Sequence, residues 1–211
     1  MKYKISLCIS ALCFLAAFLI CASESRAFQE ALASRISPEI LRFRVVAESN
    51  RPEDQEVKLE IRSLVLDYIR DAAPDKAGKK ELSAWLTDNR GTIEALSESW
   101  LESRGTKQSV TFEVTRDYFP TRTYGNLCFP CGTYDTARLT IGCGRGRNWW
   151  CVLYPSLCFT DSVRASMPED SRRELSSRLS REDYDALLLR TSKKPKTQIR
   201  FRLLERLAAC L

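Results

Sequence analysis

The sequence predicts an α+β fold: a small, mainly antiparallel sheet covered by helices, with a cysteine-rich aromatic loop. Three observations carry this expectation. Apolar and polar residues alternate in short, well-separated stretches, the mark of half-buried strands. Between the first stretch and the second, apolar residues recur instead at helical spacing. Cysteines and aromatic residues then crowd together in the second half of the chain. At 211 residues, the chain has single-domain length and can bury a core without depending on disulfides.

The N-terminus comes first. Lys2 and Lys4 precede an apolar run over residues 5–22, and small residues follow at Ala22, Ser23, Ser25 and Ala27. Residues 1–27 therefore read as a secretory signal peptide, cut after Ser23 or after Ala27. The run is long for a signal peptide and short for a spanning helix, so an uncleaved N-terminal anchor is the alternative. Cys21 follows bulky Ile20, which argues against a lipidation signal. Residues 28–39 read as a flexible lead-in that ends at the turn-prone Ser37-Pro38, and residues 40–211 as one α+β domain. The net charge of +6 falls to about +4 once Lys2, Lys4, Arg26 and Glu24 leave with the signal. No nucleic-acid recognition motif accompanies this excess, so nucleic acid is not expected as a partner.

Leu41, Phe43, Val45 and Ala47 alternate with Arg42 and Arg44, giving a first strand. Asn50 offers a cap for the helix that follows, with Pro52 in its first turn and Glu53 three residues on. Val57, Ile61, Leu64, Val65, Tyr68 and Ile69 form its apolar face, and Pro74 ends it. Two further helices carry Leu82, Trp85 and Leu86, then Ile93, Leu96, Trp100 and Leu101, with a break near Asn89-Arg90-Gly91 and a stop at Gly105. Val110, Phe112 and Val114 mark a second strand; Ala137, Leu139 and Ile141 mark a third. Residues 162–196 are charged and helix-prone, with Ser180 as a cap, and Ile199, Phe201 and Leu203 suggest a last strand.

Chemistry is hard to find. The chain has no histidine, which removes the usual general base for a serine or cysteine nucleophile and the commonest zinc ligand. Asp117, Asp135 and Asp161 are scattered, and nothing pairs them for acid-base work. The run Gly142-Cys143-Gly144-Arg145-Gly146 lacks the spacing of a phosphate-binding loop and reads as a turn. Cys8, Cys13 and Cys21 lie in the apolar run, leaving Cys128, Cys131, Cys143, Cys151, Cys158 and Cys210. An even number outside the cytoplasm suggests disulfides, with the pairing open. Cys128-Phe129-Pro130-Cys131 has thioredoxin-like spacing, yet a strand rather than a helix follows it. An extracytoplasmic thiol-disulfide oxidoreductase or a cysteine-ligated zinc protein is the alternative these cysteines raise. The second half of such a zinc site would lack a knuckle of close-set cysteines. The expectation is a non-enzyme without a cofactor.

Aromatic concentration is plain. Tyr118, Phe119, Tyr124, Phe129, Tyr134, Trp149, Trp150, Tyr154 and Phe159 are interleaved with Pro120, Pro130 and Pro155. Core packing accounts for many of them, but tryptophan, tyrosine and arginine also anchor protein interfaces. A bridge between Cys151 and Cys158 would lower the ordering cost of presenting the loop between them.

Two blocks give the chain a resemblance. In LRFRVVAESNRPEDQEVKLEIRSLV, the matching positions are Arg42, Val46, Ala47, Ser49, Asp54, Gln55, Lys58 and Arg62. The second runs from FPTRTYG through IGCGRGRNWWCVLYPSLCF, where Asn148, Trp149, Trp150, Cys151, Val152, Pro155, Leu157 and Cys158 match. Together they resemble the stage II sporulation protein R family. The resemblance implies a protein secreted into the space between forespore and mother-cell membranes. There it would activate a membrane-embedded aspartic protease, a SpoIIGA-like receptor, which then processes the mother-cell pro-sigma factor (sigma-E). It implies contact with the membrane only through the N-terminal segment. Candidate partner-binding residues are Asn148, Trp149, Trp150, Tyr154 and Pro155; the alternative surface is the basic block of Arg42, Arg44, Lys58 and Arg62, which would either meet acidic receptor loops or form a solvated helix face. Cys128, Cys131 and Cys143 depart from the family pattern, as does Ser156, whereas the Cys151–Cys158 pair lies inside the matching block.

Overall fold

The computed structural model describes residues 2–75, 77–156, 158 and 169–188. Its centre is a four-stranded mixed sheet of order β2-β5-β1-β6, so the α+β expectation holds. Strand β1 (Leu41–Val46) runs parallel to β5 (Gly132–Ile141) and antiparallel to β6 (Asn148–Tyr154). Strand β2 (Val110–Phe119) lies antiparallel outside β5. The parallel β1–β5 pair forces a long crossover, and the chain fills it with helices and with β2.

Helices α2 (Pro52–Ala72), α3 (Lys79–Asp88) and α4 (Arg90–Ser103) cover one face of the sheet. Ile61, Val65 and Ile69 of α2, Leu86 of α3, and Ile93 and Leu101 of α4 pack on Phe43, Val45, Phe112, Leu139 and Leu153. The breaks fall where expected, with Asn89 between α3 and α4 and Pro74 after α2. The cap differs. Arg51 is the N-cap of α2, Pro52 opens the helix, and the Asn50 side chain is used elsewhere.

The other face carries a second core, which the sequence reading did not anticipate. Helix α1 (Lys2–Ile36) continues without a break through residues 28–36, where a flexible lead-in was expected. Leu32, Ala33 and Ile36 are buried there with Ile40, Phe119, Phe129, Tyr134 and Val152. The apolar leader masks this short amphipathic repeat, because its own hydrophobicity swamps any period. A two-stranded hairpin of β3 (Arg122–Tyr124) and β4 (Leu127–Phe129) and two helices, α5 (Glu169–Arg178) and α6 (Arg181–Leu187), complete the cover. Ser180 caps α6 as expected, accepting the Asp183 N–H at 3.1 Å. Asp183 also pairs with Arg35 of α1 at 2.8 Å, tying α6 to the N-terminal helix.

Segment 148–154 is a strand rather than a loop. Its side chains alternate between two covered faces, so no polar residues interrupt the run and it reads as an aromatic stretch. Side chains close both sheet edges against pairing with other chains. Glu98 and Glu94 accept the Val110 and Phe112 N–H groups at 2.9 and 2.8 Å, and the Tyr124 hydroxyl donates to the Trp150 carbonyl at 3.1 Å. The last strand expected around residues 199–203, and Cys210, lie outside the described residues.

Candidate functional site

Residues 46–62 of the first sequence block and 142–150 of the second meet at one end of the sheet. Strand β1 ends at Val46, and residues 47–51 lead into α2. The turn between β5 and β6 crosses above this connection and is stitched to it. Arg145 N–H donates to the Glu48 carbonyl at 3.0 Å, Gly146 N–H to the Ala47 carbonyl at 2.9 Å, and Arg147 N–H to the Asn50 side chain at 2.9 Å. The Cys143 N–H donates to the Glu48 carboxylate. Glycine is required for this geometry. Gly142 and Gly144 have φ of 55° and 62°, in the left-handed region, and a Cβ on Gly146 would strike the Ser49 carbonyl and Ala47.

The first block supplies the cradle beneath the turn. Ser49 donates its hydroxyl to Asp54, and Gln55 donates its amide to the Ser49 carbonyl at 2.8 Å. Lys58 donates to the Gln55 side chain at 2.6 Å and to the Arg147 carbonyl at 3.1 Å. The hydrogen bond from Ser49, joined by others from Arg51 and Gln108, holds the Asp54 carboxyl below the usual range despite its burial. Burial, and after it the like charges of Arg147 and Arg62, lower the Lys58 amine. Asp54 and Lys58 are both buried, so these matching positions shape the loop from beneath.

Strand β6 then presents its tryptophans to opposite sides. Trp149 meets Phe43 edge-on at 5.9 Å on the helix side, with the Arg62 guanidinium 4.9 Å from its ring. Trp150 packs on Phe119 at 4.6 Å on the other side, beneath the Arg44 guanidinium at 4.9 Å. Arg44 also donates to the Asn148 side chain at 3.0 Å and pairs with Asp117 at 3.2 Å. Asp117 in turn binds Arg138 at 2.8 Å, and Arg138 pairs with Glu113. Asn148, Trp149, Trp150 and Arg62 are half-buried, whereas Tyr154 and Pro155 are buried.

Arg42 departs furthest from expectation. It was a candidate for a contact surface, yet it is fully enclosed. Its guanidinium lies 4.4 Å from the Phe119 ring, 5.1 Å from Tyr134, 5.5 Å from Phe129 and 5.8 Å from Tyr124. The Tyr124 hydroxyl, at 3.3 Å, takes its one hydrogen bond among the described residues. Burial lowers its pKa, and ring faces rather than a carboxylate stabilise the charge. Arg42 therefore locks the hairpin onto the sheet. Its alternation with Phe43 suggested an exposed face, because the sequence does not disclose the second core.

Cys151 and Cys158 are joined in a disulfide. This removes both from any zinc set that would have combined them with Cys128 and Cys131. Those two and Cys143 are unbonded, and Cys131 leads directly into β5 rather than a helix. Among the described residues, no group of three or more Cys, Asp or Glu side chains is placed to hold a metal ion.

The same two blocks decide the family. The model of the family described as Stage II sporulation protein R matches residues 37–164, from the end of α1 past β6. The chain belongs to the stage II sporulation protein R family. It is 30% identical over 180 residues to Stage II sporulation protein R of Bacillus subtilis (strain 168), covering 81% of this chain and 80% of that protein. No solved structure matches. Helix α1 is long and apolar enough to cross a membrane by length and composition, and near the N-terminus it fits a signal peptide. The disulfide fits an extracytoplasmic protein.

Sequence reasoning missed the row of Glu113, Arg138, Arg44 and Asp117. Its charges come from three strands, and only the register brings them together. It also missed the hairpin, whose strands are too short for periodicity, although Gly125-Asn126 is a recognised two-residue turn signal.

Proposed function

We propose that this chain is an exported signal of sporulation that switches on a membrane-embedded aspartic protease of SpoIIGA type. That protease then removes the pro-sequence from the mother-cell sigma factor. Family membership supports the sporulation role, and the apolar N-terminal helix supports export. One structural observation carries the reading further. Residues 46–62 of the first block and 142–150 of the second converge on a single end of the sheet, where a three-glycine turn is stitched over the start of α2 beside Trp149 and Trp150. A surface so pre-organised suits recognition, because little ordering entropy is lost when a partner docks.

The test is processing of the pro-sigma factor in sporulating cells whose only copy of the gene carries Trp149→Ala or Trp150→Ala. Export is measured in parallel. Processing is expected to fail while the exported amount stays normal. Normal processing in cells lacking the gene altogether would refute the function. Normal processing by both folded variants would move the contact off β6.

A further inference from the structure

The end of the sheet that carries the turn also holds cations that the chain leaves unpaired. Gln55, Lys58, Leu59 and Arg62 share one side of α2 by their spacing, the side toward β6. Lys58 donates to the Arg147 carbonyl at 3.1 Å, and Arg62 follows it by one turn of α2. Arg145 is exposed on the same turn as Arg147. Among the described residues, none of Lys58, Arg62, Arg145 and Arg147 forms an ion pair. The local carboxylates are committed elsewhere. Asp54 is held by Ser49 and Arg51, Glu48 by the Cys143 N–H, and Glu60 by Arg104 at 2.9 Å. Glu53 and Glu56 fall on the far side of α2 from Arg62.

Like charges held together without counter-charges destabilise the free protein, and a matching anion relieves that repulsion. The cluster also has an apolar floor. Trp149 lies under Arg62, and Leu59, 41% exposed, precedes Arg62 by about one turn of α2. An aromatic anchor ringed by cations suits a peptide carrying both carboxylates and an apolar side chain. The opposite side of β6 offers no such vacancy. There Arg44 and Arg138 are already neutralised by Asp117 and Glu113.

Position bears on the source of the anion. Helix α1 meets the sheet at the other end, where Gln29 meets Thr121 and Tyr118 bonds Glu30 at 2.9 Å. These contacts lie where Phe119 pairs with Gly132, whereas the cationic turn follows Ile141 at the far end of β5. The ten residues of β5 separate the two by about 30 Å at roughly 3.3 Å per residue. The N-terminal helix thus joins the sheet at the end opposite the cluster, which leaves the cationic turn open to a partner.

We infer that Arg62, Arg145 and Arg147, with Trp149 and Leu59, form the docking surface for an acidic segment of the receptor's extracytoplasmic part, and that buried Lys58 braces this surface from beneath. This rests on the activator reading above.

The experiment compares the full chain with Arg62→Glu/Arg147→Glu, and with the milder Arg62→Gln/Arg147→Gln in case reversal impairs folding. Arg70→Glu, at the other end of α2, is the control. Two readouts are taken: pro-sigma processing in sporulating cells, and salt-dependent binding of the exported protein to poly-L-glutamate and to phosphatidylglycerol vesicles. The wild type and the control are expected to process normally and to bind poly-L-glutamate with affinity falling as salt rises. The double variants should bind roughly tenfold or more weakly, with a flatter salt dependence, and should lose processing. Wild-type processing by a folded double variant overturns the docking surface while leaving the activator role standing. Preferential wild-type binding to the vesicles overturns the acidic segment in favour of a membrane surface. Failure of the wild type itself to support processing overturns the activator reading from which the partner was drawn.

Discussion

Replacing Gly146 by alanine is the sharpest test of the turn. A Cβ at this position would strike the Ser49 carbonyl, and it would lie 2.8 Å from both the Ala47 Cβ and its carbonyl oxygen. Backbone lines most of that space, so the turn must lift. Lifting breaks the bonds from Gly146 to Ala47 and from Arg145 to Glu48, and strains the bond from Arg147 to Asn50. At about 1 kcal/mol net for each, the loss is about 2–3 kcal/mol. With a urea slope of about 2 kcal/mol per molar, the midpoint should fall by roughly 1 M. Gly91 is the internal control. It lies in α4 with nothing within 4 Å of a Cβ, so Gly91→Ala should be neutral or stabilise by up to about 1 kcal/mol. Urea unfolding followed by circular dichroism reads both. A Gly146→Ala midpoint equal to the wild type's, or a Gly91→Ala midpoint that falls as far, refutes close packing of the turn. Because Arg147 and Asn148 move with the turn, the same variant should also lose pro-sigma processing.

Arg42→Ala removes the buried guanidinium and opens a cavity between the sheet and the hairpin. It should cost about 3 kcal/mol or more; a urea midpoint within error of wild type would show that the aromatic cage does not need its cation. The Asp54 carboxyl is held below its unfolded value, so its contribution is present above about pH 4 and lost as the pH falls through the lowered value. Asp54→Asn should therefore be less stable than wild type at neutral pH, with the gap closing in acid; an equal gap at pH 7 and pH 3 would contradict this. The Cys151–Cys158 bridge closes a short loop, with a sequence separation of 7, so Cys158→Ser should lower stability by roughly 2 kcal/mol on chain-entropy grounds. Wild-type stability in Cys158→Ser would mean that neighbouring packing already fixes the segment.

Much of the fold was legible because one face of the sheet behaves simply. Residues on β1, β2 and β5 that meet α2–α4 alternate with polar ones or follow a helical period, so strands and helices announce themselves. The second core was not legible. Most of its buried members come from the tail of an apolar leader, from two strands of three residues, and from β6, whose two faces are both covered. None of these carries a period that a sequence window can isolate.

The candidate site divides along the same line. Residue types and spacing determined the α+β class, the leader, the absence of a histidine-based site and the two blocks of family likeness. Tertiary structure decided which of those residues can touch a partner. Arg42 and Lys58 look alike as basic residues in one block, yet one is sealed among aromatic rings and the other braces a turn. Trp149 and Trp150 are neighbours in sequence, but the pleat sends them to opposite faces, one beneath unpaired cations and one beneath a neutralised pair. Burial and pairing depend on strand register and on what covers each face, and these arise from contacts between residues far apart in the chain.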